Sequence, residues 1–444
     1  MINYLQTLPS GYRLAWDDQP AMHTIAIGIF VDVGSRDELL VDEWGAAHLL
    51  EHMVFKGAGP WDAQSIARRM DDLGGDINAY TTRDHTVFYA KVMADYAYEA
   101  WQLLRTLVLD PHLTAKDLKV ERQVVLEERR EALDMPEDRC EQIYMQSLYG
   151  DDPIAHDSLG SPQAIRTMSA RKLRAFYHKW YRPDRICVAI AGRGSQWIVE
   201  QIGADLQQSA GSSDQQYAVR LPARRRPQTR AMEKIVRHRG EQIHWMMGRS
   251  APSALDRSHT AMKLGTTILG GQNSSRLWQT LREQAGLAYN VYAGYSAQRD
   301  WGEVSLYMAM QPGVFGQAMQ LVQQTLHQFI TNGPQEEEVV RARTMLLSSF
   351  AFSLESPEGR MLRLGWWGLS TRRPPSAQSI TESMQAVTAR DIQHVMEDIW
   401  QAPQDVAVVA LGPLSSAKIG LRERVIPAYA EMPAVLPKKE GVIP

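Results

Sequence analysis

The chain has 444 residues, 44% hydrophobic and 22% charged, with a formal net charge of −3. This length predicts two or more domains, and the near-neutral charge argues against nucleic acid or a membrane surface as partner. The two cysteines, Cys140 and Cys187, are too few for a disulfide framework and fit a reducing compartment. The amino terminus lacks the pattern of a secretory signal or transit peptide, and no apolar run would span a bilayer, so we expect a cytoplasmic protein.

The first half of the chain predicts strands and helices in an α+β order. Apolar residues alternate in "HTIAIGIFVDVGS", which indicates a half-buried strand. Asp62 is a suitable N-cap for a helix that runs to Leu73. The remaining predicted elements are a helix over 43–56, the strands "DINAYTT" and "TVFYAKVM", helices over 94–109 and 115–133, and a strand over 185–192.

The second half repeats this order of elements. It has a strand at "IHWMMGR", helices over 258–269 and 276–284, the strands "AYNVYAGYS" and "GEVSLYMAM", further helices and the late strand "VAVVALG". The polar, basic stretch between the halves favours a solvated linker over a phosphate-binding patch at Arg224–Arg226. We therefore predict two structurally similar α+β domains, each a mainly antiparallel sheet packed with helices, over 1–212 and 231–444, joined by a linker over 213–230.

The stretch "AAHLLEHMVFKG" places two histidines four residues apart in the helix predicted over 43–56. On a helix, His48 and His52 share one face and could hold one metal ion, with Glu51 between them in the chain. Such a site suits metal-assisted hydrolysis, in which a carboxylate takes a proton from water. Two ordinary helix histidines would be the alternative.

A catalytic zinc usually has a third protein ligand. The helix "KDLKVERQVVLEERREAL" offers Glu121, Glu127, Glu128 and Glu131. Glu121 and Glu128 are seven residues apart and share a face of that helix. Composition alone favours a charged, solvated helix instead, so the third ligand stays open on these residues.

The motifs together resemble the pitrilysin-type zinc peptidases, the inverzincin or M16 family, in its short two-domain, bacterial and mitochondrial-processing-peptidase-like branch. The resemblance covers nearly the whole chain. It is carried by "GSRDE", "GAAHLLEHMVFKG", "LGGDINAYTTRDHTVFYAKV", "ERQVVLEE", "LGGQNSSRLWQTLREQAGLAYNVYAGY", "SLESPEGRMLRLG" and "VTARDI". It implies a zinc-dependent endopeptidase.

For the metal, the resemblance implies one zinc ion per chain on His48, His52 and a glutamate about 76 residues beyond His52, which Glu128 matches and Glu127 nearly matches. Glu51 would be the general base. Glu121 would steady the site without binding the metal itself.

For the substrate, the resemblance implies that Asn78, Ala79 and Tyr80 bind an extended peptide along a strand edge. Arg282 and Tyr289 would bind the scissile carbonyl oxygen. Because one chain carries both the zinc motif and this pair, we expect a homodimer that encloses a chamber and admits short or unfolded peptides. There are two alternatives: a non-catalytic scaffold subunit, and an active subunit that needs a degenerate partner chain.

Overall fold

The computed structural model describes residues 4–209, 224–370, 373–401 and 405–414. The chain forms two compact units. The first contains Met1–Gln228, Gln298–Asp300 and Arg343–Ala386; the second contains Thr229–Ala297, Trp301–Ala342 and Val387–Pro444. These units are not continuous in sequence, because residues 343–386 pack with the first unit. The predicted division, by contrast, is a single cut at a linker over 213–230. Most of that predicted linker lies outside the described residues.

Thirteen strands lie in the described parts of the chain. They are β1 Tyr4–Thr7, β2 Arg13–Asp18, β3 Thr24–Val31, β4 Gly57–Ala58, β5 Trp61–Asp62, β6 Asp76–Thr81, β7 Thr86–Met93, β8 Ile186–Gly192, β9 Glu233–Arg237, β10 Ile243–Ala251, β11 Ala288–Ala297, β12 Gly302–Met310 and β13 Ala407–Gly412.

Fourteen α-helices lie in the same described ranges. They are α1 Ala46–Val54, α2 Ala63–Leu73, α3 Ala97–Leu109, α4 Ala115–Asp134, α5 Pro136–Tyr149, α6 Pro162–Thr167, α7 Ala170–Trp180, α8 Ser195–Ser209, α9 His259–Gly270, α10 Phe315–Asn332, α11 Glu336–Glu355, α12 Pro357–Leu369, α13 Ala377–Ala386 and α14 Ala389–Trp400. The helix predicted over 276–284 is a π-helix over Trp278–Gln284. None of the described helices is long and apolar enough to cross a membrane.

The two units repeat one sheet topology. The six-stranded sheet of the first unit has the order β1-β2-β8-β3-β7-β6, and the five-stranded sheet of the second has the order β11-β12-β10-β13-β9. When the second order is read from its other end, as β9-β13-β10-β12-β11, it corresponds strand for strand to β2-β8-β3-β7-β6 of the first sheet. Each sheet has a single parallel pair, β2 with β8 and β9 with β13. The predicted fold class, two similar α+β domains with mainly antiparallel sheets and helices, is confirmed.

Local sequence explains where the helices near the site begin. The Asp62 carboxylate accepts a hydrogen bond from the Ser65 backbone amide at 2.8 Å, as expected for the N-cap of α2. The Thr114 hydroxyl caps α4 in the same way, accepting from the Asp117 amide. Gly45, which precedes α1, has φ +95°, a conformation that favours glycine.

The prediction that β3 is half-buried is wrong, because both of its faces are covered. Residues 25–31 are all buried. One face packs into the main core of the first unit, and the other meets α12. The approach of α12 is so close that a Cβ at Gly365 would lie 2.1 Å from the Phe30 ring. Alternation of residue size along the strand therefore does not indicate solvent on one side.

Arg224 is part of neither a phosphate-binding patch nor a solvated linker. Its guanidinium group donates hydrogen bonds to the carboxylates of Asp32 and Asp37 and to the Asp84 backbone carbonyl. The side chain is largely buried within the first unit. Since these carboxylates neutralise its charge there, Arg224 is anchored to the first unit.

Candidate metal centre

The helix α1 carries the predicted zinc motif in the core of the first unit. Leu49, Leu50 and Met53 are buried in that core, while His48 and His52 lie half-buried on another part of the surface of the helix. Because the apolar residues fix the rotation of α1 about its axis, the two imidazoles point the same way. Their ring centroids are 4.7 Å apart.

A buried carboxylate holds the first turn of α1. The side chain of Glu38 is 0% exposed, and its two oxygens accept hydrogen bonds from the backbone amides of Gly45, at 2.6 Å, and Ala47, at 2.8 Å. These amides have no partner within the helix, so Glu38 serves as the N-terminal cap that the Gly45 side chain cannot supply. Ala47 directly precedes His48, and Glu38 therefore fixes the start of the metal-binding segment.

The helix α4 brings Glu128 to the two histidines. Its Oε2 atom lies 3.8 Å from Nε2 of His48 and 3.5 Å from Nε2 of His52. The competing residue, Glu127, is exposed and pairs with Arg130 one turn further along the helix. The structure thus brings Glu128, not Glu127, to the histidines.

The three residues could hold a metal ion. One ligand atom from each of His48, His52 and Glu128 can be chosen so that all lie within 4.8 Å of one another. Two imidazole nitrogens and one carboxylate oxygen are a donor set that zinc accepts, and three protein ligands leave a fourth position open. The residues present therefore fit the zinc ion that the resemblance implies.

Glu121 lies behind His52. Its Oε2 atom is 3.2 Å from Nδ1 of His52, and its Oε1 atom is 3.0 Å from Nζ of Lys56. A carboxylate at Nδ1 favours the tautomer that carries its proton there, and this leaves the Nε2 lone pair for a metal. Lys56 compensates the charge of the buried carboxylate.

Burial changes the ionisation of two groups at this site. It lowers the pKa of His48 to about 4, with the neighbouring His52 as a further cause, so His48 is neutral and able to bind a metal at pH 7. Burial also raises the pKa of the Glu51 carboxyl, and the charge of Glu128 adds to this, while a hydrogen bond from Thr81 opposes it. A raised pKa favours proton uptake by Glu51, as a general base requires.

Glu51 contacts the end of β6. Its Oε2 atom accepts a hydrogen bond from the Thr81 hydroxyl at 2.6 Å. Thr81 is the last residue of β6, and α1 packs against this strand. The predicted general base and the predicted substrate strand are therefore in direct contact.

The predicted substrate strand lies at the edge of its sheet. Among the described strands, β6 pairs with β7 alone. Asn78 is exposed, and its side-chain oxygen accepts a bond from the Ala79 amide at 2.8 Å. Ala79 and Tyr80 are half-buried. An edge strand has main-chain groups available to an extended peptide, which the predicted role of residues 78–80 requires.

Arg282 and Tyr289 belong to the second unit. Arg282 lies in the π-helix, with its guanidinium carbon 4.1 Å from the centre of the Trp278 ring and 5.4 Å from that of Tyr289. Tyr289 follows at the start of β11 and is 75% exposed. The two side chains are neighbours, and the ring of Tyr289 is open to solvent.

Sequence reasoning missed three residues that support this site: Glu38, Lys56 and Thr81. Each had a signal in the sequence. Glu38 ends the motif "GSRDE", Lys56 stands one helical turn after His52, and Thr81 directly follows the substrate residues in "NAYT". Their roles depend on which backbone or side-chain atoms they reach in the folded chain, and these contacts are not evident from spacing alone.

Two family models match the chain. The model described as Insulinase (Peptidase family M16) matches residues 13–161, and the model described as Peptidase M16 inactive domain matches residues 167–346. The chain is 33% identical to an uncharacterized zinc protease of Mycobacterium tuberculosis, across 93% of each chain. It is 28% identical to an uncharacterized zinc protease of Bacillus subtilis, across 92% of this chain and 97% of that one.

Solved structures share the fold. A structure titled as a peptidase M16 inactive domain, from Pseudomonas fluorescens, superposes with a TM-score of 0.85 at 22% identity, covering 94% of this chain and 99% of that one. A protease from Helicobacter pylori superposes with a TM-score of 0.84 at 19% identity, covering 93% and 99%. These matches extend over the two-domain layout, and the resemblance seen in the motifs is confirmed: the chain belongs to the M16 family of peptidases.

Proposed function

We propose that this chain is a zinc-dependent endopeptidase that cleaves short or unfolded peptides, with one zinc ion per chain. The observation that carries this proposal is the convergence of His48, His52 and Glu128, with Glu51 beside them in the same helix. A zinc ion bound by such a set polarises a peptide carbonyl and acidifies a water molecule. The residues of the chain then provide binding, orientation and proton transfer.

Glu51 is the residue that moves the proton. Its carboxylate takes a proton from the attacking water and later donates it to the amine of the leaving peptide, so the proton count balances over one hydrolysis. Burial, which raises its pKa, brings the carboxyl nearer to the pH at which both transfers are favourable. Glu121 keeps His52 in the orientation that places Nε2 towards Glu128.

The peptide binds as an added strand along β6. Main-chain hydrogen bonds with residues 78–80 tolerate many side chains, so we expect cleavage preference to be broad. The Asn78 side chain offers an amide nitrogen that has no partner among the described residues and would donate to a peptide carbonyl. Arg282 and Tyr289 would steady the negative charge that develops on the scissile carbonyl oxygen.

We further propose that the protein acts in the cytoplasm as a homodimer with a closed chamber. The support is that one chain carries both the metal-binding residues and the Arg282–Tyr289 pair. A scaffold subunit without catalysis is the rival function, and the word inactive in the description of one matching family model is consistent with it. The cluster of His48, His52 and Glu128, with Glu51 in the same helix as the histidines, favours the enzyme.

The test is cleavage of a quenched-fluorescent peptide library by the purified chain, with zinc measured per chain. We expect about one zinc per chain, activity that a chelator removes and added zinc restores, and no cleavage of a folded protein substrate. Size-exclusion chromatography of the same sample separates a dimer from a monomer. Zinc without cleavage by the lone chain would support the need for a partner chain, and a chain without zinc would support the scaffold.

A further inference from the structure

The Thr81 hydroxyl is the one described hydrogen-bond donor to the Glu51 side chain. Its Oγ1 atom lies 2.6 Å from Oε2 of Glu51, a short distance that is typical of a hydroxyl bound to a carboxylate. No described group bonds the other carboxylate oxygen, Oε1. The two oxygens of the predicted general base are therefore not equivalent.

The Thr81 hydroxyl has two possible acceptors, Glu51 and the neighbouring hydroxyl of Thr86. Thr86 faces Thr81 across the β6–β7 pair, and their Oγ1 atoms are 3.4 Å apart. Thr86 is fully buried, and its only hydroxyl proton is donated to the Val33 carbonyl at 3.0 Å. Thr86 could therefore only accept from Thr81, and it lies farther from the Thr81 hydroxyl, at 3.4 Å, than Oε2 of Glu51 does, at 2.6 Å. An ionised Glu51 only accepts, so the Thr81 proton points at the Glu51 carboxylate.

The backbone around Thr81 is held by a tight turn. The Thr82 hydroxyl donates to the His85 carbonyl at 2.9 Å and accepts from the backbone amides of Asp84, at 3.2 Å, and His85, at 3.0 Å. The Asp84 carboxylate in turn pairs with Arg36 at 2.8 Å, and both of these side chains are buried. A turn bonded in this way fixes the end of β6, so the Thr81 hydroxyl has a fixed position relative to α1.

We propose that Thr81 is a positioning residue for the general base, and this rests on the proposed peptidase function. By holding Oε2, Thr81 fixes the rotation of the Glu51 carboxylate and leaves Oε1 to exchange the proton with the attacking water and the leaving amine. Thr81 also stands next to residues 78–80 in the strand where the peptide would bind. The same strand therefore aligns both the substrate backbone and the base that acts on it.

The test compares Thr81→Val, which removes the hydroxyl at nearly constant shape, with Thr81→Ser, which keeps it. For cleavage of a quenched-fluorescent peptide, we expect kcat of Thr81→Val to fall about 10- to 100-fold, as is usual when a group that orients a catalytic residue is lost. We expect KM within about twofold of wild type and unchanged zinc per chain, because neither the strand edge nor the metal residues are altered. Thr81→Ser should recover most of the lost kcat.

Thr24→Val provides a matched control. It makes the same change in the same sheet but far from Glu51. Thr24 is the first residue of β3, and the residue of β3 that pairs with Thr86, next to the site, is at the other end of the strand. It should leave kcat unchanged.

If Thr81→Val does not fold, comparing Thr81→Ala with Thr81→Ser tests the same loss of the hydroxyl. If Thr81→Val kept the kcat of wild type, or if Thr81→Ser lost as much kcat as Thr81→Val, the role of Thr81 would be overturned. A wild-type chain that cleaves no peptide would overturn the peptidase function itself, and with it this role.

Discussion

Nδ1 of His52 lies 3.2 Å from Oε2 of Glu121, a carboxylate that is only 2% exposed. The contact assigns opposite tasks to the two nitrogens of one ring. Nδ1 carries the proton and faces the carboxylate, and Nε2 carries the lone pair and lies 3.5 Å from Glu128. The orientation of a metal ligand therefore depends on a residue that would not itself touch the metal.

The first prediction is that Glu121→Gln weakens zinc binding by about 10- to 100-fold while the chain still folds. The substitution keeps the shape of the side chain but removes the charge that favours a proton on Nδ1 and that compensates Lys56. Competition with a chelator of known affinity gives the dissociation constant for zinc. Glu131→Gln, an exposed position of the same helix, is the control and should bind zinc like wild type.

The second prediction separates Glu128 from its neighbour Glu127. Glu128→Gln should lose zinc during dialysis against metal-free buffer, because two imidazoles without the carboxylate form an incomplete zinc site. Glu127→Gln should keep its zinc, because Glu127 pairs with Arg130 on the exposed side of α4. Metal analysis of the two dialysed proteins decides between them. Zinc lost from Glu127→Gln and kept by Glu128→Gln would reverse the assignment.

The third prediction concerns the cap on α1. Glu38→Ala removes both acceptors of the Gly45 and Ala47 amides and leaves these amides without partners in a buried environment. We expect a loss of about 1–3 kcal/mol in the free energy of unfolding, measured by thermal denaturation. Asp42→Asn is the control from the same segment. It disrupts only an exposed pair with Lys172, so its melting temperature should stay close to that of wild type.

The fourth prediction is a pH-dependent contribution from Asp32. Burial alone would raise its pKa, but the charges of Arg224, Arg299 and Arg185 outweigh this and lower the pKa from 3.8 to about 2. A depressed pKa stabilises the folded state above the unfolded pKa, and this stabilisation is lost as the pH falls towards 2. The ionisation of Asp32 thus contributes about 2 kcal/mol near neutral pH.

Asp32→Asn should therefore unfold at a lower temperature than wild type at pH 7, and the difference should shrink as the pH falls from 4 towards 2. Thermal denaturation across this pH range measures it. Asp71→Asn, at an exposed position of α2, should show no such trend. If the unfolding temperature of Asp32→Asn stayed below that of wild type by the same amount down to pH 2, the charge of Asp32 would not be the cause.

Local patterns were sufficient to predict much of the fold. The helix α2 begins at its predicted cap, Asp62, and ends at its predicted residue, Leu73. The spacing of His48 and His52 predicts one shared helix face, and the structure has it. These features depend on residues within a few positions of one another, where helix geometry alone fixes the relation.

The errors arose where distant parts of the chain meet. The strand β3 is covered by α12, more than 300 residues later, and the contact requires glycines at positions 28 and 365 that no local pattern connects. Arg224 looked solvated because its neighbours in sequence are basic and polar. In the folded chain it meets the carboxylates of Asp32, Asp37 and Asp84, which are all more than 100 residues earlier in the sequence. Thr81 was missed for the same reason, because its contact depends on how α1 packs against β6.

The most direct measurement of the central claim compares wild type with Glu51→Gln for zinc content and peptide cleavage. The substitution keeps the size of the side chain and the three metal-binding residues but removes the group that accepts the proton. We expect about one zinc per chain in both proteins and cleavage by the wild type alone. Cleavage by Glu51→Gln at the wild-type rate, or the absence of zinc from both proteins, would contradict it.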